Sequence, residues 1–295
     1  MNKGTRVLVA GCGDVGGRLA VRLRDAGWQV YGMRRSVSEL PAGIAPVAGD
    51  LHQADCPDQW PQGELDYLVY SAAATEHDEP GYRRAYVDGL RHVLSWLQAR
   101  GQRPKRLLFV SSSGVYAQAD GVWVDEASPA EAQSYSGRIM REAEQQALGS
   151  DVPATVVRLT GIYGPGREWL LKQVRMGYRV AVEPPLYGNR IHADDAAGLL
   201  AFLLQADQSG KTLDDCYIGV DDEPAPLHEV VGWLRQQLGV EHWSQDSAVR
   251  RSGSKRCSNA RARALGWAPQ YPSYREGYAA AVSYTHLTLP TKRIV

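Results

Sequence analysis

The chain has 295 residues, enough for one large domain or for a full domain with a smaller one attached. It carries 33 Lys plus Arg and 33 Asp plus Glu, so its formal net charge is zero. This balance argues against partners that a whole charged surface would attract, so we expect no nucleic acid and no membrane as partners.

Cysteine usage and hydropathy bear on the compartment. The four cysteines (Cys12, Cys56, Cys216 and Cys257) lack C-x-x-C spacing, which argues against a disulfide framework and a metal site and favours a reducing compartment. No apolar run approaches the roughly 18 residues of a membrane span. We therefore expect a cytoplasmic protein with no metal.

The pattern along the first half of the chain alternates between apolar runs and helical stretches. Strands are predicted over 6–10, 29–33, 65–71, 106–112 and 154–159, and helices over 17–26, 82–100 and 137–148. Tyr86 belongs to the apolar stripe of the second helix. Continuous apolar strands are typical of a parallel sheet buried on both faces. The fold class predicted is therefore α/β, a doubly wound parallel-sheet Rossmann fold.

After about Gly161 the pattern loosens into turn-rich pieces, with a helix predicted over 194–205, a strand near 215–220 and a helix over 226–238. We expect a Rossmann domain over residues 1–160, followed over 161–281 by the last sheet elements interleaved with a small substrate lobe. Ligands of such folds bind outside the carboxyl ends of the strands.

The segment 282–295 differs in character from the rest. From Val282 to Thr291 the chain resembles one reading frame of a transposase sequencing adapter. A segment of that origin carries no functional information. We expect the natural sequence to break off near Ala281 and 282–295 to be a non-native tail, the alternative being a native one.

A glycine-rich turn lies directly between the first predicted strand and the first helix. It reads Gly11-Cys12-Gly13-Asp14-Val15-Gly16, and this context makes the G-x-G-x-x-G pattern indicative of dinucleotide binding. Gly11 allows the tight turn, Gly13 lets the backbone approach a pyrophosphate, and Gly16 lets helix and strand pack closely. Asp14 and Val15 open a helix whose N–H groups suit phosphate. The alternative is a glycine-rich turn with no ligand.

Two arginines, Arg34 and Arg35, follow the second predicted strand. An NAD site usually has an acidic residue there, which holds the ribose 2′-hydroxyl. The segment 31–36 has no carboxylate, and guanidinium groups suit a 2′-phosphate. We predict NADP as the cofactor, with NAD less favoured; the alternative interpretation is a charged surface loop.

Further motifs follow in order along the chain. They are Gly-Asp-Leu at 49–51, Ser-Ala-Ala-Ala at 71–74, Val-Ser-Ser-Ser-Gly-Val-Tyr at 110–116, Tyr-Gly-Pro-Gly-Arg at 163–167 and Arg-Ile-His-Ala-Asp-Asp at 190–195. With the glycine turn, they make the chain similar, over about residues 6–266, to the short-chain dehydrogenase/reductase superfamily. It most resembles extended NAD-dependent epimerase/dehydratase proteins and their atypical relatives.

The resemblance implies roles for several of these residues. Asp50, with Leu51 beside it, would contact adenine, and Ala72 and Ala73 would flank the cofactor. Ser112, four residues before Tyr116, corresponds to the catalytic serine or threonine of the family.

The resemblance also implies a Tyr and a Lys four residues later on one helix face, with the Tyr acting as general acid/base. Here residues 134–142 read Ser-Tyr-Ser-Gly-Arg-Ile-Met-Arg-Glu. Aligning Arg138 with the Lys puts Ser134 at the Tyr position, and starting from Tyr135 puts Ile139 at the Lys position. The pair is broken either way. The acid/base function is retained if the side chain of Tyr135, one position off, turns into the site with Arg138 as its cationic neighbour. On this basis, the expected catalytic residues are Ser112, Tyr135 and Arg138.

Two main hypotheses for function follow. The first is an NADP-dependent oxidoreductase or epimerase-like enzyme acting on a small hydroxyl- or carbonyl-bearing substrate, with nucleotide sugars among the candidates. The second is a non-catalytic NADP-binding redox sensor or regulatory protein. A degenerate Rossmann domain without nucleotide is the third option. The motifs leave the substrate open, and the oligomeric state too, a homodimer being one expectation.

Overall fold

The computed structural model describes residues 4–244 and 254–287. The strands are β1 (Arg6–Ala10), β2 (Gln29–Arg34), β3 (Ala45–Ala48), β4 (Tyr67–Tyr70), β5 (Arg106–Ser112), β6 (Trp123–Val124), β7 (Ala154–Leu159), β8 (Gly161–Tyr163), β9 (Tyr187–Gly188), β10 (Arg190–His192), β11 (Cys216–Gly219), β12 (Ala225–Pro226) and β13 (Arg256–Cys257). The α-helices are α1 (Asp14–Asp25), α2 (Glu79–Arg83), α3 (Gly89–Ala99), α4 (Tyr135–Leu148), α5 (Trp169–Arg175), α6 (Ala193–Gln208), α7 (Leu227–Leu238), α8 (Ala260–Leu265) and α9 (Tyr274–Leu287). The helix predicted over 82–100 contains a π-helical turn, Arg84–Asp88, between α2 and α3.

The central sheet has seven strands in the order β11-β7-β5-β4-β1-β2-β3. Every neighbouring pair in it is parallel. From β1 the chain moves outward through β2 and β3, then returns to the other side of β1 at β4. The strand order thus reverses between β1 and β4, and ligands of doubly wound sheets bind at the carboxyl ends of the strands at such a reversal. The α/β doubly wound parallel sheet predicted from the sequence is confirmed.

Helices cover both faces of this sheet. Side chains alternate along a strand, so Val7 and Val9 pack in one apolar cluster with α1 and α6, and Leu8 and Ala10 pack in another with α3 and α4. Burial on both faces explains why the strands read as unbroken apolar runs.

Beyond residue 161 the chain contributes β11 to the central sheet and α6 to one of its faces. It also builds a third apolar cluster from α5, α7 and α9, which includes Val174, Val230, Tyr278 and Val282. Residues 288–295 of the predicted non-native tail lie outside the described residues, while α9 continues to Leu287. The division at 160 and 281 stays a prediction.

In the part of the chain that the structure describes, no helix has both the length and the apolar character needed to cross a membrane.

Candidate functional site

A cleft of about 600 Å³ lies over the carboxyl ends of the central strands. This volume falls within the range typical of small-molecule sites. Its walls come from the ends of β1, β2, β4, β5 and β7, from the loops that follow β3 and β8, from the π-helical turn and from α4. The cleft therefore occupies the edge of the sheet where the reversal of strand order predicts a ligand.

The three glycines of the turn after β1 meet different surroundings. A Cβ atom at Gly11, where φ is +88°, would lie 2.5 Å from the backbone nitrogen of Ala72, and one at Gly16 would lie 2.6 Å from the carbonyl oxygen of Gly11. Packing within the fold thus requires both glycines. A Cβ atom at Gly13 would meet no atom of residues 4–244 or 254–287 within 4 Å, although Gly13 lines the cleft. Open space beside Gly13 fits the close approach of a ligand's pyrophosphate to the backbone.

Helix α1 points its N-terminus at this cleft. It begins at Asp14 after Gly13, and within the part of the chain that the structure describes no side chain caps its first turn. N–H groups and the positive end of the helix dipole are thus available to an anion. Asp14 and Val15 both line the cleft.

The carboxylate of Asp14 is held by two arginines. Arg18 lies 2.8 Å away and Arg167, from the loop after β8, lies 2.5 Å away. Burial acts to raise the pKa of Asp14, but the hydrogen bonds from Arg167 and Arg18 outweigh it and hold that pKa below its usual value. Arg167 lines the cleft as well, so this ion pair joins two of its walls and neutralises an acid beside the glycine turn.

At the other end of the cleft lie Arg34 and Arg35, at the end of β2. Arg34 forms an ion pair with Glu39, which a 3-10 turn over Val37–Glu39 brings back to line the same cleft. Glu39 lies outside the segment 31–36 from which NADP is predicted. Arg35 is exposed and makes no ion pair with any residue in 4–244 or 254–287.

Asp50 and Leu51 line this same end of the cleft after β3, as the resemblance implies. The carboxylate of Asp50 accepts a hydrogen bond from the backbone nitrogen of His52 at 3.0 Å, which holds the local turn. Ala72 and Ala73 line the cleft after β4, and the hydroxyl of Ser71 donates to the carbonyl of Gly11 at 2.9 Å. The loop after β4 is thereby fixed to the glycine turn.

Ser112 lies in the wall at the end of β5, where its Oγ accepts a hydrogen bond from the backbone nitrogen of Gly114 at 3.1 Å. The neighbouring Ser111 donates to Glu144 of α4 at 2.6 Å. Glu144 is fully buried and takes two hydrogen bonds from Arg158 of β7, at 2.8 and 2.7 Å. This network fixes the strand end that carries Ser112.

Tyr135 and Arg138, expected as catalytic residues, are not among the residues that line the cleft. The hydroxyl of Tyr135 donates to the carbonyl of His77 at 2.6 Å, and Arg138 is exposed and donates to the carbonyl of Gln133. The residue of α4 that lines the cleft is Met140.

Residues four apart share a helix face, so the residue one turn before Met140 on its face is Ser136. This face differs from both alignments considered from the sequence, which pair 134 with 138 and 135 with 139. Ile139 is instead buried in the core, 2% exposed. The face of α4 that meets the cleft therefore carries a thioether and a serine, rather than the phenol and ammonium group that the resemblance implies. Glu144 lies one further turn along the same face and is fully buried.

A phenol does line the cleft, from the wall formed by the π-helical turn. Tyr86 is half-buried, and its hydroxyl lies 3.4 Å from the backbone nitrogen of Ala74, from which it accepts a hydrogen bond. Burial raises the pKa of Tyr86, so the phenol remains protonated at neutral pH. Single π-helical turns occur frequently at functional sites. The apolar stripe to which Tyr86 belongs in the sequence gives no sign of this position.

No cluster of three or more His, Cys, Asp or Glu side chains suited to a metal ion occurs among residues 4–244 and 254–287.

Comparison with known proteins agrees with this geometry. The sequence model of the NAD dependent epimerase/dehydratase family matches residues 7–219. Protein YeeZ of Escherichia coli (strain K12) is 27% identical over 288 residues, covering 90% of this chain and 96% of YeeZ. The 3-diazoavenalumate denitrifying reductase of a Streptomyces species is 26% identical over 308 residues, covering 92% of this chain and 98% of that protein.

A solved structure from Methylobacillus flagellatus, provisionally described as an NAD-dependent epimerase/dehydratase, superimposes with a TM-score of 0.79. It is 34% identical, over 96% of this chain and 99% of that one. The family match covers most of the chain and includes the glycine turn, the strand of Ser112 and the sheet through β11. The chain therefore belongs to the NAD-dependent epimerase/dehydratase family.

Proposed function

We propose that this protein is an NADP-dependent oxidoreductase that acts on a small hydroxyl- or carbonyl-bearing substrate. The observation that carries the proposal is the composition of the cleft described above. A glycine turn forms its middle, arginines lie at one end, and the hydroxyls of Ser112 and Tyr86 lie among the other walls. The reductase among the relatives supports the reductive direction.

The cofactor would be held by residues from four strand ends. The backbone from Gly11 to Gly16, including Asp14 and Val15, would bind the pyrophosphate. Arg34 and Arg35 would bind the 2′-phosphate, Asp50 and Leu51 the adenine, and Ala72 and Ala73 would flank the dinucleotide. Open space beside Gly13 fits this assignment. When bound, the nicotinamide supplies or accepts the hydride.

Within this proposal the hydroxyl of Ser112 binds the substrate oxygen and the phenol of Tyr86 exchanges the proton with it. Met140, the residue of α4 that lines the cleft, has no exchangeable proton and cannot supply the acid. The ring of Tyr82 contacts the rings of both Tyr86 and Tyr135, at centroid distances of 5.4 Å and 5.6 Å. We therefore assign Tyr135 a supporting position and Arg138 no direct part.

The test begins with titration of the full chain with NADPH, followed by a panel of small carbonyl compounds with NADPH consumption as the readout. We expect NADPH to bind and at least one compound to be reduced, with turnover lost in Ser112→Ala. Absence of NADPH binding would contradict the proposal at its first step.

The second candidate is a non-catalytic NADP-binding sensor or regulatory protein. The observation that favours it is the Ser136 and Met140 face of α4, which lacks the phenol and ammonium pair. NADPH binding without turnover of any compound, and with unchanged affinity in Ser112→Ala, would favour this candidate over the enzyme.

We also propose a cytoplasmic location, a small-molecule partner rather than nucleic acid or a membrane, and a homodimer as the assembly to test first. All four cysteines are free thiols, as a reducing compartment favours. Fractionation and light scattering check the location and the assembly.

A further inference from the structure

We propose that Glu39 competes with the 2′-phosphate of NADP for Arg34, so that the chain discriminates between NADP and NAD less than two arginines alone would allow. The inference rests on the proposed function, because it requires that the cleft bind a nicotinamide dinucleotide.

The first support is the geometry around Arg34. One terminal nitrogen of its guanidinium bonds the carboxylate of Glu39, and the other donates to the Glu39 carbonyl at 3.4 Å. Both side chains line the cleft. The arginine that is expected to recognise the phosphate is thus already bound to an anion of its own chain.

The second support is the difference between the two arginines. Arg35 is exposed and has no ion-pair partner within residues 4–244 and 254–287, so a phosphate would meet no competitor there. Arg34 must leave Glu39 before it binds a phosphate fully. The side chain of Glu39 is 63% exposed, and a pair this exposed is weak enough for a multiply charged phosphate to displace.

The third support is what remains after displacement. A freed Glu39 carboxylate would lie near the 2′-phosphate and repel it. With NAD the pair stays intact, and the carboxylate can accept a hydrogen bond from the ribose 2′-hydroxyl, as acidic residues at this end of dinucleotide sites do. Glu39 therefore weakens NADP binding and tolerates or assists NAD binding.

The experiment is calorimetric titration of the full chain with NADPH and with NADH, for the unmodified protein, Glu39→Gln and Glu64→Gln. Glu64 is the matched control because it is exposed, loses the same charge, and precedes β4 at the amino ends of the strands, whereas the cleft lies over their carboxyl ends. In Glu39→Gln we expect NADPH to bind about tenfold more tightly, the change that corresponds to roughly 1.4 kcal/mol. NADH binding should stay constant or weaken, and Glu64→Gln should change neither.

A double-mutant cycle sharpens the test. Arg34→Gln should weaken NADPH binding more in the Glu39→Gln background than in the unmodified protein, because only there is Arg34 unoccupied. Arg35→Gln should weaken it equally in both backgrounds.

The outcomes separate this inference from the proposed function. An equal gain for NADPH and NADH in Glu39→Gln, or the same gain in Glu64→Gln, overturns the role of Glu39 and leaves the cofactor site intact. No binding of either nucleotide to any of the three proteins overturns the proposed function and this inference with it.

Discussion

Tyr86 and Tyr135 contact the same neighbour, Tyr82, from two different elements, the π-helical turn and α4. Of the two phenols, only that of Tyr86 lines the cleft. The hydroxyl of Tyr135 is already a donor to the carbonyl of His77. At the scale of single residues, the choice of proton donor is therefore a choice between two neighbouring tyrosines.

Replacing each by phenylalanine separates them. With a compound found to be reduced by NADPH, Tyr86→Phe should lower turnover by about 10²- to 10⁴-fold, the usual contribution of a general acid, and leave NADPH affinity unchanged. Tyr135→Phe should change turnover only a few-fold. The reverse result would assign the acid to Tyr135, as the sequence alone suggests.

At the scale of elements, one buried carboxylate joins α4 to two strands. Glu144 accepts hydrogen bonds from Ser111 of β5 and Arg158 of β7, and Arg141 of its own helix lies 2.7 Å away. Arg158 also donates to the hydroxyl of Tyr116 at 2.7 Å. The hydrogen bonds of Glu144 therefore fix the rotation of α4 about its axis, and with it the position of Met140 in the wall of the cleft.

Glu144→Gln should therefore destabilise the protein strongly, because it leaves the buried guanidinium of Arg158 without its counter-charge. We expect a loss of roughly 3–5 kcal/mol in the free energy of unfolding, measured by urea denaturation.

The same helix offers the control. Glu142 pairs with Arg83 at 2.8 Å, and both side chains are more than two fifths exposed. Glu142→Gln should cost about 1 kcal/mol or less. Equal losses in the two variants would show that the buried network does not hold α4 in place.

These elements also mark how far the sequence leads. Six of the seven sheet strands were predictable within a few residues, because burial on both faces leaves unbroken apolar runs. The seventh, β3, is a partly exposed strand at the end of the sheet order and was not among those predicted. The rotation of α4 about its axis was not predictable. In the sequence, Tyr135 and Arg138 resemble the family's tyrosine and cationic residue, but the packing of Ile139 and Glu144 decides which side of the helix faces the cleft. Glu39 was missed for a similar reason: no pattern in the sequence shows that a short turn folds back onto Arg34.

At the scale of the whole molecule, the pH dependence of stability is influenced by Asp221, a carboxyl group after β11 whose burial disfavours its ionised form. Asp221 is 2% exposed, and its backbone nitrogen donates to the carbonyl of Arg190 at 2.8 Å. Burial raises the pKa of Asp221 to about 8, although the charge of Arg190 opposes this. The folded protein therefore holds a proton on Asp221 that the unfolded chain releases at much lower pH.

The difference between the pKa of Asp221 in the folded protein and in the unfolded chain should make the stability of the fold depend on pH. The contribution of a neutral Asp221 is complete at low pH, and it is lost as the pH rises from near 4 through about 8. The side chain in Asp221→Asn cannot ionise. As the pH rises from about 5 to about 8, the free energy of unfolding of this variant should therefore increase, relative to that of the unmodified protein, by on the order of 2–4 kcal/mol. Urea denaturation of both proteins at the two pH values measures this change. The same pH dependence of the free energy of unfolding in both proteins would contradict the raised pKa.

The open side of Gly13 has a consequence for how related sequences diverge. Gly11 and Gly16 are held by the fold itself, since a side chain at either would overlap the backbone. No atom of the described residues lies within 4 Å of a Cβ atom at Gly13, so packing imposes no such demand there, whereas an occupant of the cleft would exclude larger residues. A lineage that abandoned the nucleotide would be free to replace Gly13 while keeping the other two. Loss of this one glycine would then mark, among descendants that still fold, those that no longer bind the dinucleotide.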